Sequence, residues 1–126
     1  ENEDDVIKPA VEGTLSILEA LKGSSVKRVV ITASCAAIQD TSLGDCDVDE
    51  ENWCKLGDHL TPYFKSKIKA EKAAFDFMDN LSEEEKTFEL VTMNPGMIVG
   101  PLLAKSTGSS QGLVTGILSG GMQAIP

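Results

Sequence analysis

The chain has 126 residues, 41% of them hydrophobic and 25% charged, which is the composition of one soluble globular domain and excludes a disordered or fibrous chain. A formal net charge of -9 argues against a nucleic-acid partner, because phosphate binding needs clustered lysines and arginines. Three cysteines without a CxxC pair and a single histidine indicate no metal site and no disulfide framework, so we expect a reducing, cytoplasmic setting.

The ends of the chain and its apolar runs carry two further expectations. The first residue is Glu1 rather than Met, and an apolar, glycine-rich stretch precedes Pro126. We therefore expect the chain to be a segment of a longer protein, truncated at both termini. No apolar run approaches the roughly 20 residues that a membrane-spanning helix needs, so we expect no membrane partner.

The first third of the chain contains a predicted helix and a predicted strand. Apolar residues recur about every 3.6 residues up to Leu21, which predicts a helix over residues 8 to 22 with Pro9 in its first turn and Gly23 at its end. The β-branched run 26–32 predicts a buried strand of a parallel sheet. The acidic stretch 39–60 is either a functional loop or a solvated surface loop.

A second helix and a second strand are predicted after this loop. Thr61 can cap a helix and Pro62 fits its first position, so we expect a helix from Pro62 to about Asn80. Residues 88–93 predict another buried strand, which ends before Asn94. The alternating order of helices and strands predicts an α/β fold with a doubly wound parallel sheet. The residues predicted on the buried face of the second helix are Phe64, Ile68, Ala74, Phe75, Met78 and Leu81. Those predicted on its solvent-exposed face are Lys65, Lys69, Lys72 and Asp76.

Tyr63 and Lys67 carry the chemistry that the residues themselves indicate. They are four residues apart in the second predicted helix, so their side chains share one face. A free phenol has a pKa of about 10, and a neighbouring ammonium lowers it, which makes such a tyrosine a credible general acid. Ser34 follows the first predicted strand, at the sheet edge where ligand sites of open α/β folds gather. A hydroxyl there can orient the same carbonyl oxygen.

Three segments together resemble the extended short-chain dehydrogenase/reductases of the NAD-dependent epimerase/dehydratase superfamily. They are residues 31–34 after a strand, 63–67 opening a helix and 93–101 after the next strand. Residues 1–15 and the acidic segment 49–53 further resemble the dihydroflavonol reductase, cinnamoyl-CoA reductase and fungal aldehyde reductase group. The resemblance implies a Rossmann-type fold from its fourth helix through its sixth strand, without the amino-terminal half. Residues 1–100 would belong to the dinucleotide domain and 101–126 would begin the substrate-binding region.

The same resemblance implies a role for each matching residue. Tyr63 would be the proton donor, Lys67 would lower its pKa and hold the nicotinamide ribose, and Ser34 would orient the carbonyl. The segment along the nicotinamide carboxamide would be formed by Pro95, Gly96, Met97, Ile98 and Val99. The implied reaction transfers a hydride between NADPH, or alternatively NADH, and a small-molecule aldehyde or ketone.

The sequence departs from the family pattern at two points, and three alternative functions are open. No GxGxxG or GxxGxxG spacing occurs, so the phosphate loop of the family is absent, and Ala10 falls where many extended members carry Asn. A sugar-nucleotide epimerase or a hydroxysteroid dehydrogenase would use the same Tyr63 and Lys67. A truncated, non-catalytic binding protein is the third alternative. Trp53 is expected to anchor the acidic loop, and His59 is expected to be a surface residue.

Overall fold

The computed structural model describes residues 2–40, 44, 47–101 and 108–121. The chain divides into two compact units, Glu1–Pro95 and Gly96–Pro126. The predicted division at residue 100 stays a prediction, and 102–107 and 122–126 of its second part lie outside the described residues. The elements are α1 (Asp4–Leu21), β1 (Arg28–Thr32), a 3-10 turn (Cys35–Ala37), α2 (Pro62–Asp79), β2 (Glu89–Met93) and α3 (Ser109–Leu118).

Helix α1 begins four residues before the predicted start. Asp4 and Asp5 occupy its first turn, where acidic side chains favour the positive end of the helix dipole, and the Asn2 side chain accepts a hydrogen bond from the Asp4 amide at 3.4 Å. Pro9 therefore lies in the second turn rather than the first. In the second turn its missing N–H costs one intrahelical hydrogen bond. The helix ends as predicted before Gly23, whose φ of 67° lies in the left-handed region.

Helix α2 occupies the predicted range. The Thr61 hydroxyl accepts a hydrogen bond from the Phe64 amide at 3.4 Å, and Pro62 is the first helical residue. The prediction that Lys65 belongs to the solvent-exposed face is wrong. The Lys65 side chain is only 14% exposed, because its ammonium pairs with the Glu3 carboxylate at 2.7 Å next to α1.

Strands β1 and β2 form a parallel pair, and α2 lies in the crossover between them. The register pairs Arg28 with Glu89 and Thr32 with Met93, so both strands end at the same edge. The guanidinium of Arg28 contacts the Glu89 carboxylate at 2.6 Å across the first pair. This arrangement confirms the predicted α/β fold with a parallel sheet.

The core lies on one face of this sheet. Leu18 of α1, Ala74 of α2 and Phe88 form its fully buried centre. The side chains packed around them are Leu21, Val26, Val29, Ile31, Phe77, Met78 and Leu90. The prediction of fully buried strands is wrong for the described chain, because both helices lie on this one face and burial alternates along each strand. Val30, Val91 and Met93 are the exposed apolar residues of the other face.

The acidic loop is tied to α2 by a second, smaller cluster and by Trp53. Cys54 and Leu60 pack on Ile68 of the helix. The Trp53 ring meets Phe75 edge-on at 6.0 Å between centroids, and the Lys72 ammonium lies 5.3 Å from the Trp53 ring. Trp53 thus anchors the loop, as expected.

The second unit contains α3, for which no element was predicted. Its Ile98 amide donates to the Ser110 hydroxyl at 3.3 Å, and Gly120 ends the helical region with a φ of 71°. Across both units, no helix in the described ranges is long and apolar enough to cross a membrane.

Candidate active site

The chain segments that follow β1 and β2 run side by side at the carboxyl edge of the sheet. The Ala33 amide donates to the Met93 carbonyl at 2.8 Å, and the Cys35 amide donates to the Pro95 carbonyl at 3.0 Å. Ser34 lies between these two bonds. The two segments are therefore hydrogen-bonded to each other as far as Pro95, at the edge that open α/β folds use for ligands.

Ser34 is buried at this edge and caps the 3-10 turn. Its backbone is extended, its hydroxyl oxygen accepts a hydrogen bond from the Ala36 amide at 3.2 Å, and the residue is 7% exposed. This contact uses a lone pair of the hydroxyl and leaves its hydrogen available. Ser34 can therefore still donate to a carbonyl oxygen.

The structure brings Tyr63 and Lys67 together on the first two turns of α2. The Lys67 ammonium lies 5.7 Å from the centroid of the Tyr63 ring. The ring also meets Phe64 edge-on at 6.2 Å, and the Ser66 hydroxyl donates to the Tyr63 carbonyl at 2.7 Å. Tyr63 remains 51% exposed, so its phenol is accessible to a bound molecule.

Lys67 also reaches the end of β1. It lines a cavity of about 170 Å³ together with Thr32 and Ala33, which directly precede Ser34. Residues of three elements complete the wall of this cavity, namely Ala10, Thr14, Ile31, Ala70 and Glu71. Ala10 thus faces the same space as Lys67 and contributes no polar side-chain atom there.

Glu71 and Asn94 are polar residues of this region that the sequence analysis did not single out. Glu71 is 4% exposed, and its carboxylate accepts a hydrogen bond from the Asn94 side chain at 2.8 Å. The same Asn94 nitrogen donates to the Ser34 carbonyl at 3.1 Å. A signal was present, since Glu71 continues the four-residue spacing of Tyr63 and Lys67 along one helix face.

The predicted cofactor segment 95–99 is divided between the two units. Pro95 belongs to the first unit, where its carbonyl accepts a hydrogen bond from the Cys35 amide. Gly96 begins the second unit, in which Met97, Ile98 and Val99 are each more than half exposed. The cofactor-binding roles of these residues stay predictions.

Cys54 and His59 do not extend the site. Burial raises the pKa of the Cys54 thiol, and the Asp40 carboxylate raises it further, so this thiol packs as a small apolar group. His59 is exposed, and its ring lies so close to Gly57 that a Cβ at that position would be 2.6 Å from it. Cys46 lies outside the described residues. Within the described part, no three His, Cys, Asp or Glu side chains are grouped to hold a metal ion.

The chain is similar to known proteins over most of its length. Residues 1–112 match the model of the 3-beta hydroxysteroid dehydrogenase/isomerase family. The chain is 37% identical to an anthocyanidin reductase of Vitis vinifera, over 94% of this chain and 36% of the relative. It is 35% identical to a cinnamoyl-CoA reductase of Medicago truncatula, over 92% of this chain and 36% of the relative.

A solved structure gives the same picture of the fold. The yeast methylglyoxal/isovaleraldehyde reductase Gre2, complexed with NADPH, matches with a TM-score of 0.80 and 30% identity, over 94% of this chain and 40% of that chain. These matches confirm the predicted resemblance to the reductase group and the Rossmann-type fold. The chain spans little more than a third of the length of the curated relatives, which fits the expected interior segment.

Proposed function

The chain belongs to the 3-beta hydroxysteroid dehydrogenase/isomerase family, and from this membership we propose that the full-length protein is an oxidoreductase acting on an aldehyde or ketone with NADPH. One observation carries the proposal. The Lys67 ammonium lies 5.7 Å from the centroid of the Tyr63 ring, and Lys67 also lines a cavity with Thr32 and Ala33, which directly precede Ser34. A proton donor and a carbonyl-binding hydroxyl are thus offered at the edge that open α/β folds use.

Each side chain has one task in this reaction. Tyr63 gives its proton to the carbonyl oxygen and becomes a phenolate, while the carbonyl carbon gains a hydride and becomes the carbon of an alcohol. Ser34 donates a hydrogen bond to the same oxygen and fixes its direction. The positive charge of Lys67 stabilises the negative charge left on Tyr63. NADPH, when bound, supplies the hydride.

The residues of this chain fit one end of that cofactor. The accessible phenol of Tyr63 and the ammonium of Lys67 offer donors for the hydroxyls of the nicotinamide ribose, and the backbone from Pro95 to Val99 would follow the carboxamide. These 126 residues contain no GxGxxG spacing, so they offer no glycine-rich turn for the pyrophosphate. The preference for NADPH over NADH is supported by the NADPH complex of the yeast reductase.

A hydroxysteroid dehydrogenase is the second candidate, because the description of the matching family names that activity. It would use Tyr63 and Lys67 in the opposite direction, with Tyr63 removing the proton of a secondary alcohol. We favour the reductase because two curated relatives carry the names of reductases over more than nine-tenths of this chain.

Purified full-length protein tests the proposal. NADPH oxidation is followed with methylglyoxal and isovaleraldehyde, and NADP⁺ reduction is followed with a 3β-hydroxysteroid. A nucleotide sugar is assayed by direct detection of its epimer, because epimerisation produces no net change in NADPH. Tyr63→Phe should lower kcat on the preferred carbonyl about a hundredfold or more, because the general acid is lost. NADPH binding, measured by fluorescence titration, should persist. Retained turnover would reject Tyr63 as proton donor, and absence of NADPH and NADH binding would favour the non-catalytic alternative.

A further inference from the structure

Glu71 is a carboxylate held inside the molecule. It lies one helical turn beyond Lys67 on α2, is 4% exposed, and lines both the cavity of about 170 Å³ beside Lys67 and a larger one of about 610 Å³ beside β2. A carboxylate in such a place loses the hydration it has in water and needs a donor in return. Asn94 supplies this donor at 2.8 Å.

The Asn94 amide joins three elements through one nitrogen. That nitrogen has two hydrogens, and its two acceptors are the Glu71 carboxylate on α2 and the Ser34 carbonyl after β1. Since both partners are acceptors, the amide can face them only with its nitrogen. Asn94 itself follows β2, so the contact spans the helix and the ends of both strands.

The loop around Ser34 packs on α2 through its 3-10 turn, and its backbone is hydrogen-bonded to two other segments, with the Ala37 carbonyl accepting from the Cys54 amide at 2.9 Å. The amides on either side of Ser34 donate to the Met93 and Pro95 carbonyls. The chain from Ser34 through Asn94 to Glu71 is a side-chain hydrogen-bonded link between this loop and α2. The distance from the Ser34 hydroxyl to Tyr63 and Lys67 depends on how loop and helix are held together.

We propose that Glu71 and Asn94 are a pair of positioning residues. Together they hold the Ser34 hydroxyl at the distance from Tyr63 and Lys67 that carbonyl reduction needs. The inference rests on the proposed function and adds two residues to it. Neither touches substrate, because Asn94 acts through the Ser34 carbonyl and Glu71 acts through Asn94. A displacement of a reacting group by about 1 Å costs roughly a hundredfold in rate, which sets the size of the expected effect.

The experiment separates positioning from general stability with two variants of the full-length protein. Asn94→Asp removes both donated hydrogen bonds and sets a second carboxylate against Glu71. It should lower kcat about a hundredfold and lower Tm, with the Kd of NADPH roughly unchanged. The double variant of Glu71→Gln with Asn94→Asp reverses the polarity of the pair, so the introduced amide donates to the introduced carboxylate and the tie between α2 and β2 is restored.

The double variant should recover Tm without recovering kcat, because the Ser34 carbonyl still lacks its donor. Recovery of kcat together with Tm would show a merely structural role and overturn the proposal, as would a wild-type kcat in Asn94→Asp. If the single variant does not fold, the double variant alone decides by its kcat at unchanged Kd.

A matched control lies at the other end of the same helix. The Asn80 side chain donates to the Asp76 carbonyl at 2.7 Å, far along α2 from Ser34. Asn80→Asp makes the identical chemical change there and should leave kcat at the wild-type value. Tyr63→Phe, measured in parallel, keeps the two proposals apart. Its inactivity beside a fully active Asn94→Asp would reject the positioning pair alone. Full activity of Tyr63→Phe would reject Tyr63 as the proton donor, and absence of NADPH-dependent turnover in the unmodified protein would reject the proposed function.

Discussion

The Lys67 ammonium lies 5.7 Å from the centroid of the Tyr63 ring, one helical turn further along α2. Lys67→Met keeps most of the side-chain length and removes the charge. We expect kcat to fall by about two to four orders of magnitude, which is the range of general acid catalysis, because Tyr63 then loses the cation that stabilises its phenolate. NADPH binding should also weaken, since Lys67 is the proposed donor to the nicotinamide ribose. Steady-state kinetics and fluorescence titration of the full-length protein measure both effects.

Lys69 provides the control for this variant. It lies on the same helix but is exposed on the described chain, away from the cavity that Lys67 lines. Lys69→Met should leave kcat and the Kd of NADPH unchanged. Equal losses in both variants would point to the net charge of the helix and would contradict a specific role for Lys67.

Ser34 has two separable functions in the structure, a cap for the 3-10 turn and a donor for substrate. Ser34→Ala removes both. We expect kcat to fall about a hundredfold, as for the loss of one oxyanion donor, and the free energy of unfolding to fall by about 1 kcal/mol, as for the loss of a cap. Urea unfolding and kinetics on the same preparation report the two losses separately.

Ser24 makes the same kind of contact far from the site. Its hydroxyl accepts from the Val26 amide at 3.3 Å, two residues ahead, as the Ser34 hydroxyl accepts from Ala36. Ser24→Ala should therefore lower stability by a similar amount and leave kcat intact. A wild-type kcat in Ser34→Ala, with its stability lowered, would leave Ser34 with the capping role alone.

The sequence predicted those parts of the fold that are set by local signals. Thr61 and Pro62 define the start of α2 because one caps the free amides and the other needs no donor, and both act within a single turn. Gly23 ends α1 for a similarly local reason. The start of α1 at Asp4 is not predicted, because a proline is typical of the first turn and Pro9 lies in the second; Asp4 and Asp5 occupy the added first turn, at the positive end of the helix dipole.

The rest depended on contacts between distant parts of the chain. Helix periodicity and charge predict that Lys65 is exposed, and they indicate no role for Glu71. In the structure Lys65 pairs with Glu3, and Glu71 accepts a hydrogen bond from Asn94, so both side chains are drawn out of solvent. Such partners are 62 and 23 residues away, so no local pattern reveals them. Ser34, Tyr63 and Lys67 could be singled out because a strand end and a four-residue spacing are visible in sequence. Their joint action in catalysis remains a prediction.

Thr61 links the stability of α2 to the geometry of the site. Its hydroxyl accepts from the Phe64 amide, and Tyr63 is only the second residue of the helix. Thr61→Ala should lower the free energy of unfolding by about 1 kcal/mol and, by fraying the first turn, lower kcat more than it changes the Kd of NADPH. Thr61→Ser keeps the capping oxygen and should restore both quantities. If Thr61→Ala loses stability with an unchanged kcat, the first turn does not need its cap to place Tyr63.

Leu18 tests the core that holds the helices on the sheet. It is 1% exposed and packs with Ala74 of α2 and Phe88 next to β2. Leu18→Ala removes three buried carbon atoms and leaves a cavity where α1 meets the rest of the core, so the free energy of unfolding should fall by about 2–5 kcal/mol. Leu18→Met nearly conserves the volume and should cost less than about 1.5 kcal/mol. Urea unfolding of the two variants compares them directly. Similar losses in both would mean that the shape of the side chain, rather than the buried volume, governs this contact, because only the alanine variant removes volume.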